Sequence, residues 1–176
     1  MAEAARKSGP WLVCKPGCFE CCMGPFPITM LDAERLRDGL VELQRTCPER
    51  AARVRERAVD YLARLPHFPG DLATGVLYEG PDAEECFATL ADEEPCPALD
   101  PGTGTCDLYS ARPITCRIFG PAVRAGADAV GVCELCYHGA TVGQIAACEV
   151  EVDPHDIQGA LLAGDTRQTI VAFALR

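Results

Sequence analysis

Apolar side chains recur at helical spacing mainly between residues 30 and 65. Two sets of positions repeat at intervals of three and four residues, which places each set on one face of a helix. The first set is Leu36, Leu40, Leu43 and Cys47, and the second is Val54, Ala58, Tyr61, Leu62 and Leu65. We therefore predict two amphipathic helices in this stretch.

Both predicted helices have recognisable start and stop signals in the sequence. Thr29 is followed three residues later by Asp32, a spacing typical of a capped helix start. Pro48 interrupts the periodicity where a proline can open a second helix, and Pro66 can end that helix. Because the join is so tight, we expect a helical hairpin over about residues 30–65.

The stretches on either side, residues 14–28 and 95–136, are irregular and rich in cysteine and proline. Prolines at this density exclude a regular helix and favour loops. Weaker signals indicate further short elements. These are a strand at Val76–Tyr78, a helix from Asp82 to about Leu90, strands flanking the turn 101–104 and a helix from Asp153 to Ala163. The apolar tail, residues 170–175, is compatible with either a helix or a strand.

Together these patterns predict a mainly α fold with irregular, cysteine-rich metal-binding loops and a short β-hairpin. A length of 176 residues suits a single small domain, residues 1–176, with the helical hairpin between the two cysteine-rich regions. Only 6% of the residues are aromatic, so we expect the core to need additional stabilisation.

The chain has 12 cysteines, which indicates either a disulfide framework or metal ligation. Residues 1–13 show no apolar segment of a secretory signal, and no apolar run approaches the length of a membrane span. We therefore expect a cytoplasmic protein with no membrane partner. In that reducing compartment, clustered cysteines favour metal over disulfides.

The net charge of −10 argues against nucleic-acid binding, since phosphate backbones repel an acidic chain. Half of the 16 basic residues lie in residues 35–64, interleaved with acids. We interpret this segment as a solvated, salt-bridged helix face rather than a basic docking patch.

The first cysteine cluster is Cys14-x3-Cys18-x2-Cys21-Cys22. At these spacings one loop can direct several sulfurs at one centre, and coordination offsets the cost of burying thiolates. The adjacent pair Cys21 and Cys22 is poorly suited to a disulfide, because a vicinal bridge distorts the peptide.

The second region supplies more widely spaced candidates: Cys96, Cys106, Cys116, Cys133 and Cys136. Gaps of about ten residues are common between ligands delivered by successive turns, and Cys133-x2-Cys136 is a metal-type pair. Cys47 continues an apolar helix face, so core packing explains it better, and Cys86 and Cys148 have no close partner in sequence.

Arg112 and Arg117 flank Cys116 closely. Their guanidinium groups could offset the negative charge of a thiolate cluster, or they could bind an anionic cofactor or substrate beside the metal. Both interpretations stay open at this point.

Three blocks in this order carry a family resemblance: Cys14-x3-Cys18-x2-Cys21-Cys22, Cys96-Pro97-x-Leu99, and Cys106-x2-Tyr109-x2-Arg112-Pro113-x2-Cys116-Arg117. The chain resembles the YkgJ-type cysteine-cluster family, to whose domain zinc or iron chelation is ascribed. The resemblance implies seven metal ligands: Cys14, Cys18, Cys21, Cys22, Cys96, Cys106 and Cys116. It implies an eighth that is either Cys133 or Cys136.

The resulting hypothesis is a metal-binding protein that holds an iron–sulfur cluster or zinc, with a 4Fe–4S cluster slightly favoured. Adjacent cysteines rarely close one tetrahedral zinc site comfortably, which is the reason for that preference. One alternative is a metal-dependent enzyme, since flagellin lysine methylase contains a similar cysteine domain. Another is metal storage or delivery, although the helical stretch contains only Cys47. The sequence indicates no protein partner.

Overall fold

The computed structural model describes residues 2–65, 67–88, 90, 93–125 and 128–176, with only the backbone described at 128–131. Its helices are α1 Ala2–Ser8, α2 Met30–Thr46, α3 Pro48–Arg64, α4 Pro81–Ala88, α5 Ile114–Ile118, α6 Val142–Cys148, α7 Ile157–Leu162 and α8 Val171–Leu175. Its strands are β1 Pro27–Thr29, β2 Leu99–Asp100, β3 Thr105–Cys106, β4 Val123–Ala125, β5 Asp128–Gly131, β6 Val150–Glu151 and β7 Gln168–Ile170. The chain is thus a single small domain, mainly helical with small sheets, as predicted.

The predicted helical hairpin is present as α2 and α3. The Thr29 side chain accepts a hydrogen bond from the Asp32 backbone N–H at 3.1 Å, so the predicted cap is confirmed. Pro48 opens α3, which ends at Arg64. The faces predicted to be apolar are the buried ones, and Val54 and Ala58 are fully buried.

The main hydrophobic core lies between α2, α3 and the C-terminal helix α8. The C-terminal tail, for which the sequence did not decide between helix and strand, contains both, since strand β7 is followed directly by helix α8. Strand β7 pairs antiparallel with β1, which leads into α2, with Ile28 opposite Thr169. Residues 171–175 are buried as a result, since this pairing places α8 against the helical hairpin.

A smaller core lies away from the hairpin and contains Ala122, Tyr137 and Cys148. Trp11 and Leu12 pack against it. It is covered by α1, α6 and a three-stranded sheet of order β5-β4-β6, in which β4 pairs antiparallel with β5 and parallel with β6. The sequence patterns did not indicate α1, α6 or this sheet.

Other short elements depart from the predictions at their boundaries. The strands flanking the turn 101–104 exist as the β2–β3 hairpin. The short helix α4 begins at Pro81, one residue before its predicted cap. The helix predicted from Asp153 starts later, at Ile157, because the Asp153 carboxylate accepts the Ile157 N–H at 2.9 Å and so precedes the helix. At 76–78 the structure has only a single bridge, Gly70 to Leu77.

Candidate metal centres

Five of the predicted ligands gather beside the main core: Cys21, Cys22, Cys96, Cys106 and Cys116. We call them the five-cysteine cluster. Backbone pairing positions Cys22 next to Cys96, since the Cys96 N–H donates to the Cys22 carbonyl at 2.7 Å. Cys106 lies on β3, opposite Leu99 of β2, and both Cys96 and Cys106 pack against the main core.

Helix α5 delivers the last member, Cys116. The carboxylate of Asp32, on α2, accepts the Ile114 backbone N–H at 3.2 Å and so fixes the first turn of α5. Asp32 is 3% exposed, which makes this a buried link between the helical hairpin and the thiols. Sequence analysis treated Asp32 only as a capping residue.

Two arginines of α3 fix the hairpin that carries Cys106. Arg50 and Arg57 donate to opposite oxygens of the Asp107 carboxylate at 2.6 and 2.7 Å. Arg57 also donates to the Pro97 carbonyl at 2.9 Å. These arginines lie on the face predicted to be salt-bridged, but their partner is the second cysteine-rich region rather than a neighbouring turn of the helix. No sequence signal pointed to Asp107.

The thiols of the five-cysteine cluster perturb one another. A hydrogen bond shared with Cys22 lowers the pKa of Cys21, with Arg112 acting in the same direction, and raises the pKa of Cys22. Burial raises the pKa of Cys96 and Cys116 to about 12, and nearby Cys106 adds to both. Most of these thiols are therefore neutral at pH 7 unless a cation compensates their ionisation, which metal coordination would do.

Four other predicted ligands form a second group: Cys14, Cys18, Cys133 and Cys136. We call them the four-cysteine cluster. The Cys14 and Cys136 sulfurs are 3.9 Å apart. Burial raises the pKa of Cys14 to about 12, with further contributions from the other three thiols. Burial also raises the pKa of Cys133, again with contributions from Cys136 and Cys18.

The two arginines that the sequence paired have different surroundings. Arg117 donates to the backbone carbonyls of Arg112 and Ser110, at 2.8 and 2.5 Å, and so holds the loop before α5. The Arg112 guanidinium stacks 3.8 Å above the Tyr109 ring. Its charge favours ionisation of Cys21, Cys106 and Cys116. Its Nε atom is buried and has no hydrogen-bond partner among the described residues.

The residues of the five-cysteine cluster fit a metal or metal cluster in two respects. Five thiols converge on one region, and the orphaned Arg112 Nε–H would be satisfied by a coordinated sulfur acceptor. Within the described part of the chain, no three Cys, His, Asp or Glu side chains are already arranged to hold a metal ion. Ligation would therefore require changes of cysteine rotamer.

The remaining cysteines lie outside both groups. All 12 cysteines are among the described residues, and no disulfide joins any two of them. Cys47 is half-buried at the join of α2 and α3, Cys148 is buried in the smaller core, and Cys86 donates to the His67 carbonyl at 3.5 Å. A cavity of about 490 Å³ between α4, β7 and the loop before α4 has no cysteine among its described lining residues.

The fold and the thiol groups define a small, mainly helical protein built around clustered cysteines. A family model matches residues 13–136, the span that contains every candidate ligand. The chain belongs to this CxxCxxCC family, to whose domain zinc or iron chelation is ascribed. Neither the comparison with curated proteins nor that with solved structures found a significant match. Over the described residues, no helix combines the length and apolarity needed to cross a bilayer.

Proposed function

We propose that this protein binds a 4Fe–4S cluster through thiolates of the five-cysteine cluster and that its function depends on that centre. The observation that carries the proposal is the convergence of five thiols, three of them beside the Arg112 guanidinium, whose buried Nε–H has no partner among the described residues. Membership of a zinc- or iron-chelating family supports metal binding in general. The choice of iron–sulfur over zinc is our inference from the site chemistry.

Two features of the cluster favour iron–sulfur. A zinc ion takes all of its thiolates around one point, which suits the adjacent pair Cys21 and Cys22 poorly. A four-iron cluster takes each thiolate at a different iron atom, so its ligands lie farther apart and can come from separate elements. Cys106 is on β3, Cys116 is on α5, and Cys96 lies in the loop before β2.

Arg112 supplies a further argument. Hydrogen bonds to cluster sulfurs and nearby positive charge are among the means by which proteins tune iron–sulfur centres. Among the described residues the buried Nε–H of Arg112 has no hydrogen-bond partner, and its guanidinium lies beside three of the thiols. We assign it to charge compensation of the cluster and Arg117 to support of the loop. A reducing compartment such as the cytoplasm suits this function, since oxidised thiols could not ligate the cluster.

Metal and acid-labile sulfide analysis of anaerobically purified protein tests the proposal. We expect a brown protein with broad absorbance near about 400 nm and close to four iron and four sulfide per chain. The double variant Cys96→Ser with Cys106→Ser should lose both, because it removes two thiolates. Cys86→Ser is the matched control and should retain them, since Cys86 lies outside the cluster. A colourless protein with zinc bound at the same five cysteines would contradict the iron–sulfur assignment.

A further inference from the structure

Two members of the four-cysteine cluster lie in the smaller core, away from the main core. Cys133 and Cys136 pack there with Trp11 and Leu12, whereas Cys96 and Cys106 pack against the main core. We infer that Cys14, Cys18, Cys133 and Cys136 form a second, independent metal site that binds one zinc ion by four thiolates. This inference does not depend on what the five-cysteine cluster binds.

The spacing of one sulfur pair, Cys14 and Cys136, is that of a single-ion site. With zinc–sulfur bonds of about 2.3 Å, two thiolates of a tetrahedral site stand about 3.8 Å apart. The Cys14 and Cys136 sulfurs are 3.9 Å apart. Thiolates that hold a four-iron cluster are separated further, because each bonds a different iron atom. The geometry of this pair therefore favours one tetrahedral ion.

Each half of the cluster is a tight turn that presents two sulfurs. The Cys18 N–H donates to the Lys15 carbonyl at 3.0 Å, and the Cys136 N–H donates to the Cys133 carbonyl at 2.9 Å. Spacings of two to four residues within each pair are typical of structural zinc sites. Together the two pairs carry the four thiolates that a tetrahedral zinc site requires.

Packing holds the two turns together without the metal. Cys136 is 4% exposed. The Tyr137 N–H donates to the Trp11 carbonyl at 3.0 Å, and the Tyr137 hydroxyl accepts the Ala122 N–H at 2.9 Å. The first of these bonds ties the turn that bears Cys136 to the segment that leads into Cys14. The fold thus brings Cys14 and Cys136 together, which reduces the entropy lost on metal binding.

A zinc ion here would connect distant parts of the chain. Cys14 and Cys136 are 122 residues apart in sequence. Helices α1 and α6 flank the two turns and contact each other, with Lys7 Nζ donating to the Glu149 carbonyl at 2.8 Å. Cross-linking such a long loop constrains the unfolded chain strongly, so the expected role of this site is structural.

Metal analysis of paired variants tests the assignment. In full-length protein purified anaerobically and then supplied with zinc, we expect about one zinc ion per chain, with four sulfur neighbours at about 2.3 Å by X-ray absorption. Cys14→Ser with Cys136→Ser should lose that zinc while keeping the metal of the other cluster. Cys86→Ser should keep both. Nitrogen or oxygen neighbours at the zinc, or zinc retained by the double variant, would overturn the inference.

A second measurement on the unmodified chain covers the case in which the double variant fails to fold. Cysteine alkylation followed by mass spectrometry is compared before and after zinc is added to reduced, metal-free protein. Zinc at one equivalent should protect Cys14, Cys18, Cys133 and Cys136 together by at least about tenfold in rate. Protection of the other five thiols first, or a Cys14–Cys136 disulfide in the anaerobic protein, would refute a zinc site here.

The two proposals fail in distinguishable ways. Absence of iron and sulfide with zinc still on the four-cysteine cluster would reject the proposed function and support this inference. Iron and sulfide on the five-cysteine cluster, with no zinc bound to the other four thiols after its addition, would reject the inference alone.

Discussion

At the scale of single residues, Gly120 shows how closely the backbone approaches a candidate ligand. Its φ is +113°, a conformation that residues with a side chain rarely adopt, and a Cβ at this position would lie 2.8 Å from the Cys14 sulfur. The same Cβ would contact Leu12 at 3.5 Å. Glycine is therefore required here both by conformation and by the space that the Cys14 thiol occupies.

Gly120→Ala should weaken zinc binding at the four-cysteine cluster and lower the free energy of unfolding by about 1–3 kcal/mol. The strain explains the stability loss, and displacement of the Cys14 sulfur explains the loss of affinity. Gly164→Ala is the matched control, since its φ is +84° but the space around its Cβ is open. It should lose stability and keep zinc affinity. Zinc competition and denaturant unfolding measure the two effects, and equal zinc affinities in both variants would contradict this account.

At the scale of elements, the helical hairpin acts as the support for the five-cysteine cluster. Helix α3 holds Asp107 through Arg50 and Arg57, and α2 holds α5 through Asp32. Each link joins a regular helix to an irregular cysteine-bearing segment. Burial makes the Asp32 carboxylate costly to ionise, so the link between α2 and α5 is expected to depend on pH.

Asp32 allows that expectation to be tested. Burial raises its pKa above the ordinary value of 3.8, against the opposing effects of the Ile114 N–H and Arg35. The carboxylate is thus disfavoured in the folded chain, and the stability that the neutral acid provides is lost as pH rises through the folded-state pKa. Asp32→Asn keeps an acceptor for Ile114 and removes this dependence.

The free energy of unfolding of Asp32→Asn minus that of the unmodified chain should therefore increase as pH rises from the ordinary aspartate pKa of 3.8 to the raised folded-state pKa, and stay level above it. Comparing the two proteins at each pH in the same metal state cancels the contribution of the cysteines. Asp32→Ala should instead lose about 1–3 kcal/mol, because the buried Ile114 N–H loses its acceptor. A difference that falls with rising pH would show that the carboxylate is favoured in the fold.

At the scale of the whole molecule, two cores differ in what stabilises them. The main core is built from apolar side chains of α2, α3 and α8, and several are fully buried. The smaller core is formed by short elements, α1, α6 and β4–β6, none longer than seven residues. Elements this short provide little stability alone, so this part of the molecule has the greater need of a metal.

Removal of zinc by a chelator should therefore loosen the smaller core before the main core. We expect amide hydrogen exchange to rise in residues 2–13 and 132–150 after chelation, while α2 and α3 stay protected. The melting temperature should fall as well. Hydrogen exchange followed by mass spectrometry, with and without zinc added back, measures this. A uniform rise along the chain, or no change with zinc shown to be removed, would contradict a local role for the metal.

What the sequence determined by itself was local. The caps and the helical spacing of residues 30–65 were sufficient to predict α2 and α3, because the signals for a helix lie within a few residues of one another. Pro101, Gly102 and Gly104 predicted the turn of the β2–β3 hairpin. Cysteine density alone indicated metal, and family membership supports that coarse conclusion. Helices α1 and α6 were missed because they are short and α1 lacks a clear apolar period.

Only the tertiary structure decided how the candidate cysteines are divided between the two clusters. Cys18 and Cys21 are three residues apart, yet they lie in different clusters, and either Cys133 or Cys136 had been expected as a single late ligand. Both lie in the same cluster as Cys14, because packing of α1 on α6 brings the segment around Cys14 close to the segment around Cys136. Contacts between residues more than 100 positions apart depend on how the elements pack, and no local pattern in the sequence encodes that distance.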